Sequence, residues 1–256
     1  MDLGLEEKIV VITGGSAGIG YAAAKFFAAE GARVIICGRR LEVLEQAAAS
    51  LGSKVLPFRA DVTCAADVAS LGDYVWQRFG VLDVWVNNVG ATIARAGQWY
   101  TEAEIDATYA VNFKSVVMGS QIAASYMIRR GGGVIINVAS LAARCASSGR
   151  ASLYGPLKSA VVNYTNTFAG EVAAQGIRVV AVMPGFTTTP LAKTTIAPAE
   201  FSEQSRLCLL HRAAAPEEIA APIVFLASDR AAYITSTAVE ISGGRSTVLN
   251  PNYSYE

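Results

Sequence analysis

KIVVITGGSAGIG, residues 8–20, decides the fold. Its first half, Lys8–Thr13, is a buried-strand pattern in which Ile9–Thr13 are all β-branched, the kind found in a strand buried on both faces. Its second half is a glycine-rich turn that passes directly into the small residues of a helix beginning near Ile19. Glycine reaches positive φ without a Cβ penalty and lets backbone N–H groups come close to a ligand. The helix N-terminus adds unpaired donors and the positive end of a dipole, which suits phosphate. A glycine-rich turn alone is an ordinary tight connection. Between a buried strand and a helix, with another strand pattern at Arg33–Cys37, it has the context that a dinucleotide site requires.

The same alternation runs along the chain. Strand patterns at Val55–Arg59, Val84–Asn87, Gly133–Val138, Arg178–Met183 and Ala238–Ile241 follow the first two. Helical patterns cover Ile19–Glu30, Leu41–Leu51, Ala65–Phe79, a long stretch from Glu102 to Arg129, Pro156–Ala174 and Pro216–Ala227. Gly31, Gly52 and Gly80 stop the first three helices. Apolar strands alternating with helices predict an α/β fold: a Rossmann-like, doubly wound, seven-stranded parallel sheet with helices on both faces. No linker, repeat or low-complexity tract divides the chain. The expectation is one dinucleotide-binding domain over 1–256, with a loop-rich, substrate-binding segment at about 185–215.

Composition narrows the function classes. Apolar residues are 52% of the 256 and charged residues 16%, enough for a large core. The formal net charge is zero, so the chain has no overall attraction to nucleic acid or anionic membrane. No apolar run reaches the ~18 residues of a spanning helix. MDLGLEEK carries acids where a signal peptide would carry bases, so a cytoplasmic location is expected. Cys37, Cys64, Cys145 and Cys208 are scattered and His211 is the single histidine, which argues against a metal site or a disulfide framework. No GxSxG elbow accompanies the histidine, against a serine hydrolase.

Two stretches carry chemistry. The second strand and its exit read RVIICGRRLEVL. An NAD-selective site places a carboxylate near this strand end to hold the ribose hydroxyls. Here Gly38 stands there, followed by Arg39 and Arg40. Glycine leaves room, and an arginine can pair a 2′-phosphate through charge-assisted hydrogen bonds of ~1.5–3 kcal/mol. The pattern favours NADP(H), with Arg39 the main contact. The other stretch is SLYGPLKSAV, residues 152–161, where Tyr154 and Lys158 are one helical turn apart.

Together these motifs resemble the short-chain dehydrogenase/reductases, over about Leu5 to Gly244. Thr13, Gly14, Gly18 and Gly20 match TGxxxGxG, Asp61-Val62 matches the pair at the adenine, and Asn87-Asn88-Val89-Gly90 looks like NNAG. Asn112, Ser140, the Tyr154–Lys158 pair, Pro184-Gly185 and Thr189 match the remaining motifs in order. The resemblance implies a catalytic set of Asn112, Ser140, Tyr154 and Lys158. It implies that the dinucleotide is held by Gly14, Ser16, Gly18, Ile19, Gly20, Arg39, Arg40, Asp61, Val62, Asn88, Gly90, Tyr154, Lys158, Pro184, Gly185, Thr187 and Thr189. The implied reaction is exchange between a carbonyl compound and its secondary alcohol. The hydride comes from nicotinamide and the proton from Tyr154; Asn112 is expected to hold a water in a relay from Lys158. A homotetramer or homodimer built through the long helices is a further implication. Two other readings stay open: an NAD-dependent dehydrogenase of a biosynthetic pathway, and a catalytically silent dinucleotide-binding sensor.

The chain departs from the family pattern in places. Pro156-Leu157 replaces the usual Ala-Ser before the lysine, which predicts a late helix start with Pro156 in the first turn and Tyr154 at its very beginning. The interval from Ser140 to Tyr154 is one residue longer than expected, and its loop carries Arg144 and Arg150. The usual DGG near the C-terminus is Ser242-Gly243-Gly244, and the segment after it is long. The pocket wall is expected from Ile93–Tyr100, Leu141–Ser152 and Phe186–His211. Trp99, Tyr100, Leu141, Phe186, Leu191, Phe201 and Leu207 make these stretches mostly apolar, suiting a hydrophobic carbonyl substrate.

Overall fold

A computed structural model describes residues 2–93, 97, 99–145 and 152–246. The strands are β1 (Ile9–Thr13), β2 (Arg33–Gly38), β3 (Val55–Arg59), β4 (Val84–Asn87), β5 (Gly133–Val138), β6 (Ile177–Pro184) and β7 (Thr237–Ile241). They form one 7-stranded sheet in the order β3-β2-β1-β4-β5-β6-β7, with every pairing parallel. This is the doubly wound, Rossmann-like arrangement expected from the sequence.

The helices are α1 (Gly18–Ala29), α2 (Leu41–Leu51), α3 (Ala65–Phe79), α4 (Glu102–Tyr109), α5 (Ser115–Arg130), α6 (Tyr154–Val172), α7 (Pro190–Thr195), α8 (Pro198–Arg206) and α9 (Pro216–Ala227). Because strand side chains alternate, the apolar runs feed two cores. Val10, Ile12, Val34 and Ile36 pack with α1 and α9 on one face. Val11, Ile35, Trp85 and Ile135 pack with α3 and α5 on the other. Each such side chain withdrawn from water contributes about 1.5–3 kcal/mol, so covering both faces is what makes continuous apolar strands favourable.

The strand order reverses between β1 and β4, whose neighbours lead away in opposite directions. A crevice opens beyond the strand C-termini at such a switch point, and ligands of this architecture bind there.

Three local features differ from the sequence reading. The long helix is interrupted by a π turn at Ala110–Lys114. α6 starts two residues before the coarse pattern at Pro156, with Tyr154 at its very beginning and Pro156 inside the first turn as the proline argument expects, so no helical N–H bond is lost. The segment at about 185–215 contains two short helices, each opened by a proline. Among the described residues no helix is long and apolar enough to cross a membrane.

Candidate active site

The glycine turn is shaped from below and from the side. Gly14 and Gly18 have φ of +68° and +55°, which a Cβ would strain. A Cβ on Gly20 would lie 2.4 Å from the Gly14 carbonyl oxygen, so only glycine lets α1 start this close beneath the loop. Asn88 fastens the arrangement by donating to the carbonyls of Thr13 (2.9 Å) and Gly14 (3.2 Å). Thr13 Oγ1 in turn accepts from the Asn88 and Val89 N–H groups. Of these predicted contacts, Asn88 therefore acts on the loop itself. Ser16 is part of the turn, and Ile19 packs against the core beneath it. α1 carries no acid in its first turn, which leaves its N-terminal dipole available to an anion.

At the end of β2, Gly38 has open surroundings: a Cβ would meet only Leu44, at 3.7 Å. Glycine is thus not required there sterically, and the missing carboxylate is a matter of chemistry. Arg39 and Arg40 follow, both exposed. Asp61 begins the turn after β3 and accepts from the Thr63 N–H (2.9 Å) and hydroxyl (2.7 Å). Burial works against its charge, but the Thr63 bonds and the nearby Arg39 hold the carboxyl below its ordinary pKa. Val62 is buried beside it. Across the crevice, a Cβ on Gly18 would come within 3.3 Å of Thr189, so the glycine turn and the start of α7 face each other. Thr189 caps α7 by accepting from Ala192 N–H (3.1 Å), which leaves its own proton to donate. Thr187 is buried, with its hydroxyl on the Gly185 carbonyl at 3.1 Å. Pro184 ends β6, and Gly185 abuts Ser242 so closely that a Cβ would lie 2.7 Å from its Cα.

Of the four residues expected to carry the chemistry, Lys158 and Asn112 border Gly90. Lys158 is 1% exposed and donates from Nζ to the Val138 carbonyl at 2.9 Å. Burial pulls its pKa down to about 8. Its Nζ lies 5.8 Å from the centre of the Tyr154 ring, so phenol and ammonium converge despite Pro156. A Cβ on Gly90 would be 2.9 Å from that Nζ and 3.3 Å from Asn112 Oδ1. Asn112, fully buried in the π turn, donates to the Ala91 and Thr108 carbonyls and accepts from the Ala91 N–H at 3.1 Å. Its amide is committed to the loop after β4. The inserted residue of a π turn displaces a backbone carbonyl from its usual partner, a distortion frequent at functional sites. Ser140 leaves β5, and its Oγ accepts from Ala142 N–H at 3.2 Å, capping the short turn Leu141–Ala143.

Gly155, just before the Pro156-Leu157 departure, has a local reason. A Cβ on residue 155 would lie 2.9 Å from the Ala142 carbonyl oxygen, so glycine lets the first turn of α6 close on the turn after Ser140. Ser159 bridges the same elements by donating to the Ala143 carbonyl at 2.7 Å. Beneath the site a buried network was not anticipated. Trp85 donates to Asn87, Asn87 to Asn137, and Asn137 to Thr165 at 2.9 Å, tying β4, β5 and α6 together. The signal was Asn137, a lone polar residue in the apolar strand GVIINV.

Of the expected pocket wall, Leu141 is buried and Phe186 packs on Phe201 at 4.7 Å. Trp99, Leu191 and Leu207 are exposed. The Tyr100 hydroxyl accepts from Ser152 N–H at 2.8 Å. Arg144 pairs with Glu240. Arg150 and the final segment from residue 247 lie outside the described residues.

A parallel sheet with a glycine turn at its switch point, and a buried ammonium beside a phenol, is an arrangement suited to a dinucleotide and a proton donor. A family model described as Enoyl-(Acyl carrier protein) reductase matches residues 14–246. The chain is 38% identical over 243 residues to the 3-oxoacyl-[acyl-carrier-protein] reductase FabG of Thermotoga maritima, covering 94% of this chain and 98% of the other. It is 34% identical over 257 residues to the 7alpha-hydroxysteroid dehydrogenase of Bacteroides fragilis, covering 96% of each. The crystal structure of a short-chain type dehydrogenase/reductase from Mycobacterium marinum superposes with a TM-score of 0.90 at 32% identity, covering 95% of this chain and 97% of that one. The chain belongs to the short-chain dehydrogenase/reductase family of oxidoreductases.

Proposed function

We propose that the protein is an NADP(H)-dependent oxidoreductase that interconverts a carbonyl compound and its secondary alcohol. The observation that carries the reading is the buried Lys158 ammonium, set under Gly90 and beside Tyr154, with Ser140 at the adjoining strand end. The glycine cradle and the acid-free α1 N-terminus fit a pyrophosphate, and the open Gly38 with Arg39 and Arg40 fits a 2′-phosphate. Reduced nicotinamide, when bound, supplies a hydride.

The chain's own residues supply position and proton. Tyr154 gives its phenolic proton to the carbonyl oxygen during reduction, or takes one from the alcohol during oxidation. A phenol has an ordinary pKa of ~10, and bringing it to ~7 takes about 4 kcal/mol of preference for the phenolate. The Lys158 ammonium supplies much of that preference because burial leaves its charge poorly screened. Ser140 donates to the same substrate oxygen. Asn112 holds the loop after β4 in place, so a relay to Lys158 would use the backbone of the π turn rather than the Asn112 amide. Asp61 and Val62 would border the adenine, and Thr187 and Thr189, with Pro184-Gly185, the nicotinamide carboxamide.

The relatives' names cover an acyl-carrier-linked ketone and a hydroxysteroid, both ketone–alcohol pairs. With the apolar wall of Leu141, Phe186 and Phe201, they support a largely apolar substrate. Exposed Ile105 and Tyr109 on α4 and Ile128 on α5 support a homotetramer or homodimer paired through these helices. One domain working in the cytoplasm completes the reading.

The test is absorbance at the nicotinamide band with NADPH and NADH in parallel, against a panel of ketones and aldehydes. NADPH consumption that is lost in Tyr154→Phe is expected. Tight NADPH binding without turnover of any carbonyl compound would instead make the protein a sensor.

A further inference from the structure

Glu240 lies on β7, in register with Met183 of β6, and its side chain is only 15% exposed. Both carboxylate oxygens are occupied. Oε2 accepts from Arg144 Nη1 at 3.2 Å, and Oε1 accepts from the hydroxyls of Ser242 and Ser246. Burial disfavours the charged form, but the two serines and Arg144 outweigh it and hold the carboxyl below its ordinary pKa.

The three partners come from three parts of the site. Arg144 ends the turn Leu141–Ala143 that Ser140 caps. Ser242 is the residue on which Gly185 of the Pro-Gly turn packs. Ser246 follows Arg245, which donates to the Gln204 carbonyl on α8 at 3.1 Å and lies 6.0 Å from the Phe186 ring. These are also the places where the chain departs from its family's pattern: the longer loop, serine in the DGG turn, and the segment beyond Gly244. The chemistry connects them. A serine can donate to Glu240, whereas an aspartate at 242 could only set a second negative charge against it.

We propose that Glu240 is a positioning residue that ties the turn after Ser140 to the wall containing Phe186 and Phe201, and so sets which carbonyl compounds the site accepts. The proposal rests on the functional reading above. Glu240 touches no reacting atom; its effect falls on substrate KM.

The experiment uses Glu240→Ala, Arg144→Ala, their combination and the conservative Glu240→Gln. It measures kcat and KM for the best carbonyl substrate, the Kd for NADPH, and hydrogen exchange of segments 141–145 and 242–246 without cofactor. Glu240→Ala is expected to raise KM about tenfold, with kcat and the NADPH Kd changed by less than about twofold. Arg144→Ala should do the same, the combination should be no worse than either, and Glu240→Gln should restore part of the loss. Both segments should lose exchange protection in Glu240→Ala. An unchanged KM in these variants, or an equal loss in NADPH affinity, would overturn the proposal. Should Glu240→Ala fail to fold, Arg144→Ala and Glu240→Gln decide by the same criteria. Should the wild type turn over no carbonyl compound, the functional reading fails and exchange alone judges Glu240. Protection lost in both segments then supports the tie, and loss confined to 242–246 refutes it.

Discussion

Raising the pH of the cofactor-free protein should stabilise it through Lys158. The lysine is fully buried and its folded pKa falls from 10.5 to about 8, because burial penalises the ammonium. Protonation therefore costs the folded state more than the unfolded chain. The penalty is complete below about pH 8 and fades as the pH rises through 8 towards 10.5. The full difference is roughly 3 kcal/mol, and integrating the titration from pH 7 to 9 recovers about 1 kcal/mol of it. Cys37 acts in the opposite sense: burial raises its pKa from 9.0 to about 12, so stability is lost above pH 9 as the unfolded thiol ionises. The clean measurement is urea denaturation of the wild type and of Lys158→Met at pH 7, 8 and 9. Titrating groups that Lys158 does not bias cancel in the difference between the two, and carrying Tyr154→Phe in both proteins removes the phenol that it does bias. The wild type should gain about 1 kcal/mol relative to the variant over that range. Parallel pH profiles for the two proteins would refute a buried, partly deprotonated lysine.

Three substitutions test other parts of the structure. Gly38→Asp meets only Leu44 at ordinary contact distance, so it should leave folding intact, weaken NADPH binding about 10- to 100-fold and strengthen NADH; equal changes in the two Kd values would count against the reading of this strand end. Gly90→Ala places a methyl 2.9 Å from Lys158 Nζ and should displace it from the Val138 carbonyl, lowering kcat about 10- to 100-fold and weakening NADPH by less. Steady-state rates beside a binding titration separate those effects, and a normal kcat would contradict the tight packing. Gly119→Ala would put a Cβ 2.2 Å from Asn87 Oδ1, and overpacking at this buried network should cost about 1–3 kcal/mol in denaturant unfolding.

The sheet was legible because its strands are apolar throughout and its helices end at glycines. Leu41–Leu51 and Pro216–Ala227 fall where their patterns place them. The π turn was not legible, since AVNFK keeps the composition of an ordinary helix and the insertion is fixed by Asn112 bonding the Ala91 backbone. Two helices in the segment after β6 carried usable signals in Pro190, Pro198 and the Thr189 cap, yet their short lengths left no period to read. The site motifs were readable one by one. What the sequence withheld were backbone partners and close approaches: the Val138 carbonyl on Lys158, the Ala142 carbonyl over Gly155, and Glu240 gathering Arg144, Ser242 and Ser246. Such contacts join residues far apart in the chain, and no local spacing encodes them.

The central claim is hydride transfer to a carbonyl carbon with the proton supplied by Tyr154. NADPH carrying deuterium at the transferable C4 position, incubated with a ketone and the wild-type protein, tests it most directly by mass spectrometry and NMR of the product. The account predicts an alcohol with deuterium on its carbinol carbon, and a rate at least about 100-fold lower for Tyr154→Phe. An unlabelled alcohol, or undiminished labelling in Tyr154→Phe, would contradict it.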